Sequence, residues 1–218
     1  MMLAAGSVTA QNADSNTSEP LAVLKALEKR YAQVTTIQGN FKQERVDETF
    51  GETISTSGNF WLAKPDRLRV EYQAPNEATD MLVEGVAYQY VPKLRQVTMV
   101  RYKNKNTPMD LNFLLLGFGA KVENVQKVYN VMPLGKTAPK GKVGLRLVPK
   151  DAKQANFKNF ELMLDQKSLV PTDFSFKGMD GTLTKAVLDD KKLKIDQTID
   201  ASRFKPNWPE KTRVVEVE

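Results

Sequence analysis

Between Ser18 and Val34 the apolar positions recur every three or four residues: Leu21, Leu24, Leu27, Tyr31 and Val34. That spacing puts one greasy stripe on an amphipathic helix, with Lys25, Glu28 and Lys29 on the wet side. Ser18 fits its N-cap and Pro20 its first turn. After Thr36 the period drops to two. Ile37 and Phe41 share a face, as do Ile54, Thr56, Gly58, Phe60 and Leu62. In "RLRVEY" Leu68, Val70 and Tyr72 alternate with Arg67, Arg69 and Glu71. "VEGVAYQYV" reads as a strand ending at Val83, a turn at Glu84-Gly85, and a strand carrying Val86, Tyr88 and Tyr90; "RQVTMVRY" follows. Each is a strand with one wet and one dry face.

The second half continues in the same style. Val143, Leu145 and Leu147 alternate in "KVGLRLVP", and Asn159 to Leu188 holds three short strands with turns at 165–167 and 179–181. "PLGKTAPKGKVG" is a basic hairpin tip, "KLKIDQTID" a last strand, and "FKPNWPEKTRVVEVE" a proline-broken tail. About ten or eleven strands at this spacing predict a mainly β domain, an antiparallel sandwich or barrel.

One stretch breaks the alternation. "NTPMDLNFLLLGFG" (106–119) crowds Leu111, Phe113, Leu114, Leu115, Leu116 and Phe118 together between lysine-rich flanks. It is shorter than the roughly 20 residues a membrane helix needs. Pro108 fits a first helical turn and Gly117 its end. The pattern leaves two readings open: a helix plugging the barrel as part of its core, or a movable lid over an apolar cavity.

Composition narrows the chemistry. The chain has neither His nor Cys, which removes His-dependent nucleophilic triads, zinc sites built on those ligands, and disulfides. No spacing singles out a carboxylate pair or a Ser-Lys pair, so the chain reads as a non-enzyme without metal or cofactor. The net charge of +6 permits an anionic partner. A stacking platform for nucleic acid at Tyr88, Tyr90, Arg95 and Arg101 is the weakest alternative, and no nucleic-acid partner is expected. At the N-terminus, Leu3 to Ala10 is small and apolar, and "VTA" before Gln11 matches a signal-cleavage pattern. Residues 1–17 are read as a shortened secretory signal with a polar linker, and 18–218 as one domain.

The run from Gly58 to Val97, with "NTPMDLNFLLLG" after it, resembles the periplasmic lipoprotein carrier family, LolA. The family's ordered pattern is met by Gly58, Phe60, Trp61, Pro65, Arg69, Tyr72, Pro75, Leu82, Val83, Gly85, Tyr90, Pro92, Gln96, Thr107, Pro108, Leu114 and Leu115. The resemblance spans about residues 18 to 210. It implies an incomplete, unclosed antiparallel barrel with an N-terminal helix and a short helical lid over an apolar cavity. It also implies a monomeric periplasmic chaperone that takes acylated lipoproteins from an inner-membrane ABC exporter to an outer-membrane acceptor. Lys64 stands where the family usually has an arginine that latches the lid; Leu68 and Glu84 replace a usual Phe and Asp.

Strand parity then yields the expected cavity wall: Phe60, Leu62, Leu68, Val70, Tyr72, Tyr88, Tyr90, Met99, Phe160, Leu162, Phe174 and Phe176. The expected lid contacts are Leu111, Phe113, Leu114 and Leu115, with Lys64 as latch. The alternatives are a carrier of another lipid or glycolipid, and a structural or adaptor protein whose barrel is filled by its own side chains.

Overall fold

A computed structural model of the chain describes residues 20–47, 50–101, 118, 120–153 and 157–217. Helix α1 (Pro20–Tyr31) buries Val23, Leu24, Leu27 and Tyr31; of the predicted stripe, Leu21 and Val34 are only partly buried. A meander of six strands follows: β1 (Thr36–Asp47), β2 (Glu52–Ala63), β3 (Arg67–Tyr72), β4 (Ala78–Val83), β5 (Val86–Val91) and β6 (Gln96–Arg101). Helix α2 (Val122–Val128) leads into a second meander: β7 (Tyr129–Pro133), β8 (Lys142–Pro149), β9 (Phe157–Asp165), β10 (Pro171–Gly178) and β11 (Leu183–Leu188). Two short strands, β12 (Lys194–Ile195) and β13 (Arg213–Val217), complete the set.

Among the described residues all thirteen strands belong to one sheet in the order β13-β6-β5-β4-β3-β2-β1-β11-β10-β9-β8-β7, with β12 on β1. The two meanders join where β1 meets β11, Phe41 opposite Leu188. The sheet ends at β13 and β7 and does not close. One detail differs from expectation. The proline-broken tail ends in a real strand, and that strand runs parallel to β6, Arg213 opposite Gln96. The segment "VENVQKV" is a helix, held to α1 by Glu28, whose Oε2 accepts from the Val122 N–H at 3.2 Å.

One cluster forms the main core. It unites α1, α2 and the concave face of the sheet through Leu24, Leu27, Ile37, Phe60, Leu62, Val122, Val125, Leu145, Leu147 and Leu162, among others. Glycine is required at one point of this face. A Cβ at Gly58 would fall 2.7 Å from the Phe41 ring and would also meet the Glu71 carbonyl oxygen. The bare backbone lets Phe41 lie across it, edge-on to Tyr72 at 5.6 Å.

Candidate functional site

Register defines the concave wall. Phe60 lies opposite Val70 and Leu62 opposite Leu68, while Leu68 lies opposite Leu82. In the second meander Phe176 faces Phe160 and Phe174 faces Leu162, and Leu162 and Phe160 face Leu145 and Leu147. Directly opposed residues share a face of the sheet, so these side chains form a continuous apolar surface. Phe60, Leu62, Leu68, Val70, Phe160, Leu162 and Phe174 are buried in the main cluster, and Tyr72 and Phe176 pack at its edge. An aromatic row runs Tyr129–Phe157–Phe160–Phe174 with centroid separations of 6.0, 6.4 and 6.0 Å.

Helix α1 lies over this wall, and Phe118 is the wedge between them. Its ring stacks on Phe60 at 6.2 Å and meets Tyr31 edge-on at 5.5 Å, with no exposed surface. The helix and the sheet part at the β7 margin. A cleft of about 440 Å³ opens there, lined by Pro20, Leu21, Leu24, Gln126, Tyr129, Asn130, Val131 and Lys150.

Tyr88, Tyr90 and Met99 do not belong to the concave wall. The turn at Glu84-Gly85 has two positive φ angles, 52° and 79°, and sets Val83 opposite Val86 and Met81 opposite Tyr88. Met81 lies opposite Arg69, and Arg69 opposite Trp61. Tyr88 and Tyr90 therefore share the face of Trp61, the reverse of the Phe60 face, and Met99, opposite Tyr88, goes with them. That convex face has its own cover. Trp208 packs on Tyr88 at 6.1 Å and Tyr90 at 5.2 Å. The Arg203 guanidinium sits 4.3 Å from the Trp61 ring centroid, and Arg69 donates to the Arg203 carbonyl at 3.1 Å.

Lys64, the expected latch, ends just past β2. Its Nζ donates to the Tyr31 carbonyl oxygen at 2.7 Å, one of the last carbonyls of α1 that lack an intrahelical partner. Burial lowers its pKa, and the nearby Asp196 carboxylate pulls it back up. Asp196 in turn accepts from the Thr35 N–H at 2.8 Å, and this hydrogen bond is the main reason its own carboxyl titrates below the usual range. Among the described residues, then, Lys64 fastens the end of α1 to the sheet. The expected lid contacts Leu111, Phe113, Leu114 and Leu115 lie outside the described residues.

A polar group on the concave face was not anticipated. Asp80 lies opposite Val70 and opposite Gln89, on the Phe60 side of the sheet. Its Oδ1 accepts from Gln89 Nε2 at 3.1 Å, and the Tyr72 hydroxyl lies beside the same carboxylate. Burial raises the pKa of Asp80, with Gln89 and Tyr72 opposing; burial and the neighbouring carboxylate push that of Tyr72 up as well. Gln89 is opposite Thr98, whose hydroxyl receives the Gln96 amide at 3.4 Å. The concave face is thus apolar from Leu147 on β8 to Leu82 on β4, with a polar patch of Asp80, Gln89, Thr98 and Gln96 across β4 to β6.

Fold and site define a class: an unclosed, mainly antiparallel β-barrel with a helix laid on an apolar concave wall. The chain belongs to the family described as outer membrane lipoprotein carrier protein LolA, whose model matches residues 32–207. Two similar proteins are each named outer-membrane lipoprotein carrier protein. The one from Alkalilimnicola ehrlichii is 28% identical over 200 residues, 91% of this chain and 86% of that one. The one from Halorhodospira halophila is 28% identical over 196 residues, 89% and 86% of the two chains. Among solved structures, an uncharacterized conserved protein from Thermus thermophilus has the same fold, with a TM-score of 0.53 at 13% identity over 89% of this chain and 97% of that one.

Proposed function

We propose that this chain is a periplasmic carrier that shields the acyl chains of lipoproteins on its concave wall. It would receive them from an inner-membrane ABC exporter and release them to an outer-membrane acceptor, acting as a monomer and without making or breaking covalent bonds. The observation that carries this reading is the continuous apolar wall from Leu147 to Leu82, closed by α1 and Phe118. Withdrawing each acyl CH₂ from water is worth about 0.8 kcal/mol, so a free lipoprotein cannot cross an aqueous space. A buried Phe or Leu is worth about 1.5–3 kcal/mol. An entering acyl chain can therefore replace the contacts of α1 and Phe118 with contacts of its own, and the net cost of opening stays small. The incompletely closed cleft between α1 and β7 is the place where that exchange would start.

The test is delivery. Inner-membrane vesicles carrying the exporter and a labelled lipoprotein are incubated with ATP and the purified chain. The expected result is a soluble one-to-one complex, lost when Phe60 and Leu62 are both replaced by Asp. If the folded chain takes up neither lipoprotein nor a fluorescent fatty acid, the barrel is filled by its own side chains and the carrier reading fails.

A further inference from the structure

The apolar wall explains the grip on acyl chains, but it leaves the polar margin of the same face without a task. Asp80 stands one strand away from the buried wall, opposite Val70, and neighbouring strands lie about 4.8 Å apart. Two neutral groups face its carboxylate: Gln89 donates to it at 3.1 Å, and the Tyr72 hydroxyl lies beside it. A carboxylate offers about four acceptor positions, so these two groups leave room for more. Neither supplies positive charge, and among the described residues no Lys or Arg pairs with Asp80, although Arg69, Arg101 and Arg146 each pair with a Glu. Asp80 is half-buried while Gln89 is exposed, so the group is reachable from outside the wall. A carboxylate in such surroundings is costly unless a cation joins it.

Resting on the carrier reading above, we propose that Asp80, oriented by Tyr72 and Gln89, binds the ammonium group of an acylated ligand. The ligand class is a lipid with an amine a few bonds from its acyl chains. Such an amine is the free α-amino group of a diacylated lipopeptide or the headgroup of an ethanolamine phospholipid. Its N–H groups would fill the free acceptor positions of Asp80 while its chains lie along Val70, Leu68 and Phe60.

The experiment measures displacement of a fluorescent fatty acid by four competitors: a dipalmitoyl lipopeptide with a free α-amine, its N-acetyl form, a phosphatidylethanolamine, and its N-acetyl form. The wild-type chain is expected to prefer a free amine by about tenfold, the worth of one charge-assisted hydrogen bond. A preference in the lipopeptide pair assigns the α-amine, and one in the phospholipid pair assigns the headgroup. Asp80→Asn should abolish the preference and leave the affinity for the N-acetyl forms within about twofold. Equal affinity for the free and acetylated forms in both wild-type pairs overturns the proposal while leaving the carrier reading intact. So does a preference that survives in Asp80→Asn. If no competitor displaces the probe, the carrier reading itself fails and takes this inference with it.

Discussion

Lys64 is one of the few polar ties between α1 and the sheet, and its contribution can be isolated. Truncating Lys64 to Ala leaves the Tyr31 carbonyl with only the Val34 N–H, at 3.2 Å, in place of its charged 2.7 Å donor. The loss of a hydrogen bond from a charged donor should lower stability by about 1.5–3 kcal/mol, read from urea denaturation. Lys64→Arg restores the donor and adds a planar fork able to reach a second helix-end carbonyl. It should recover stability and slow release of a bound fatty-acid probe in stopped flow. Equal release rates for the wild-type chain and the Lys64→Arg variant would remove Lys64 from the closing contact. Asp80 supplies a pH signature. Its carboxyl is raised in the folded chain by burial, whereas in the unfolded chain it titrates near pH 4. As pH rises past that value the unfolded chain releases its proton first, so the folded chain holds more protons and stability falls. Tyr72 from β3 and Gln89 from β5 are the groups facing it. Asp80→Asn should therefore melt higher than wild type at pH 7, and the gap should shrink below about pH 4. A gap independent of pH would mean that the Asp80 charge costs the fold nothing.

At the scale of elements, the C-terminal segment forms a second, smaller core on the convex face. Trp208 bridges Tyr88 and Tyr90, Arg203 lies on Trp61, and β13 extends the sheet beside β6. Trp208→Ala should cost about 1–3 kcal/mol of stability, measured by chemical denaturation. Affinity for a fatty-acid probe should stay within about twofold of wild type, because the sheet separates the two faces. Loss of probe binding in a chain that is still folded would show that the faces are coupled. This second core also explains which part of the wall was legible. Phe60, Leu68, Val70, Leu162 and Phe174 follow from alternation within single strands. Tyr88 and Tyr90 depend on register instead. The Glu84-Gly85 turn was visible in the sequence, and a two-residue hairpin loop fixes which residues oppose each other. It places Tyr88 with Met81 and Ala87 with Leu82. With Met81 and Leu82 both apolar, alternation alone cannot say which of them looks into the concavity. Aromatics bury the most area, which favours the pair for the wall, but that area is spent against Trp208. Asp80 went unread for the same reason: a lone carboxylate in "ATDMLV" is expected on the wet side.

At the scale of the molecule, the antiparallel meanders and the N-terminal helix were readable because each depends on neighbours along the chain. The strand order was not, since no local pattern announces that β1 pairs with a strand as distant as β11. That seam has a kinetic meaning. Each meander can zip by hairpins whose loops are short, while joining Phe41 to Leu188 requires closing a loop of about two thirds of the chain, at an entropic cost no local contact repays in advance. Folding should therefore proceed as two separate half-shells that dock last along β1 and β11. Pulsed hydrogen exchange should protect the amides of β3–β5 and β8–β9 before those that link β1 to β11, and Leu188→Ala should speed unfolding while leaving the folding rate nearly unchanged up to that step. Simultaneous protection throughout would refute the order. Until the halves meet, each exposes an apolar concave wall, so the chain passes through a stage in which it needs protection from aggregation itself.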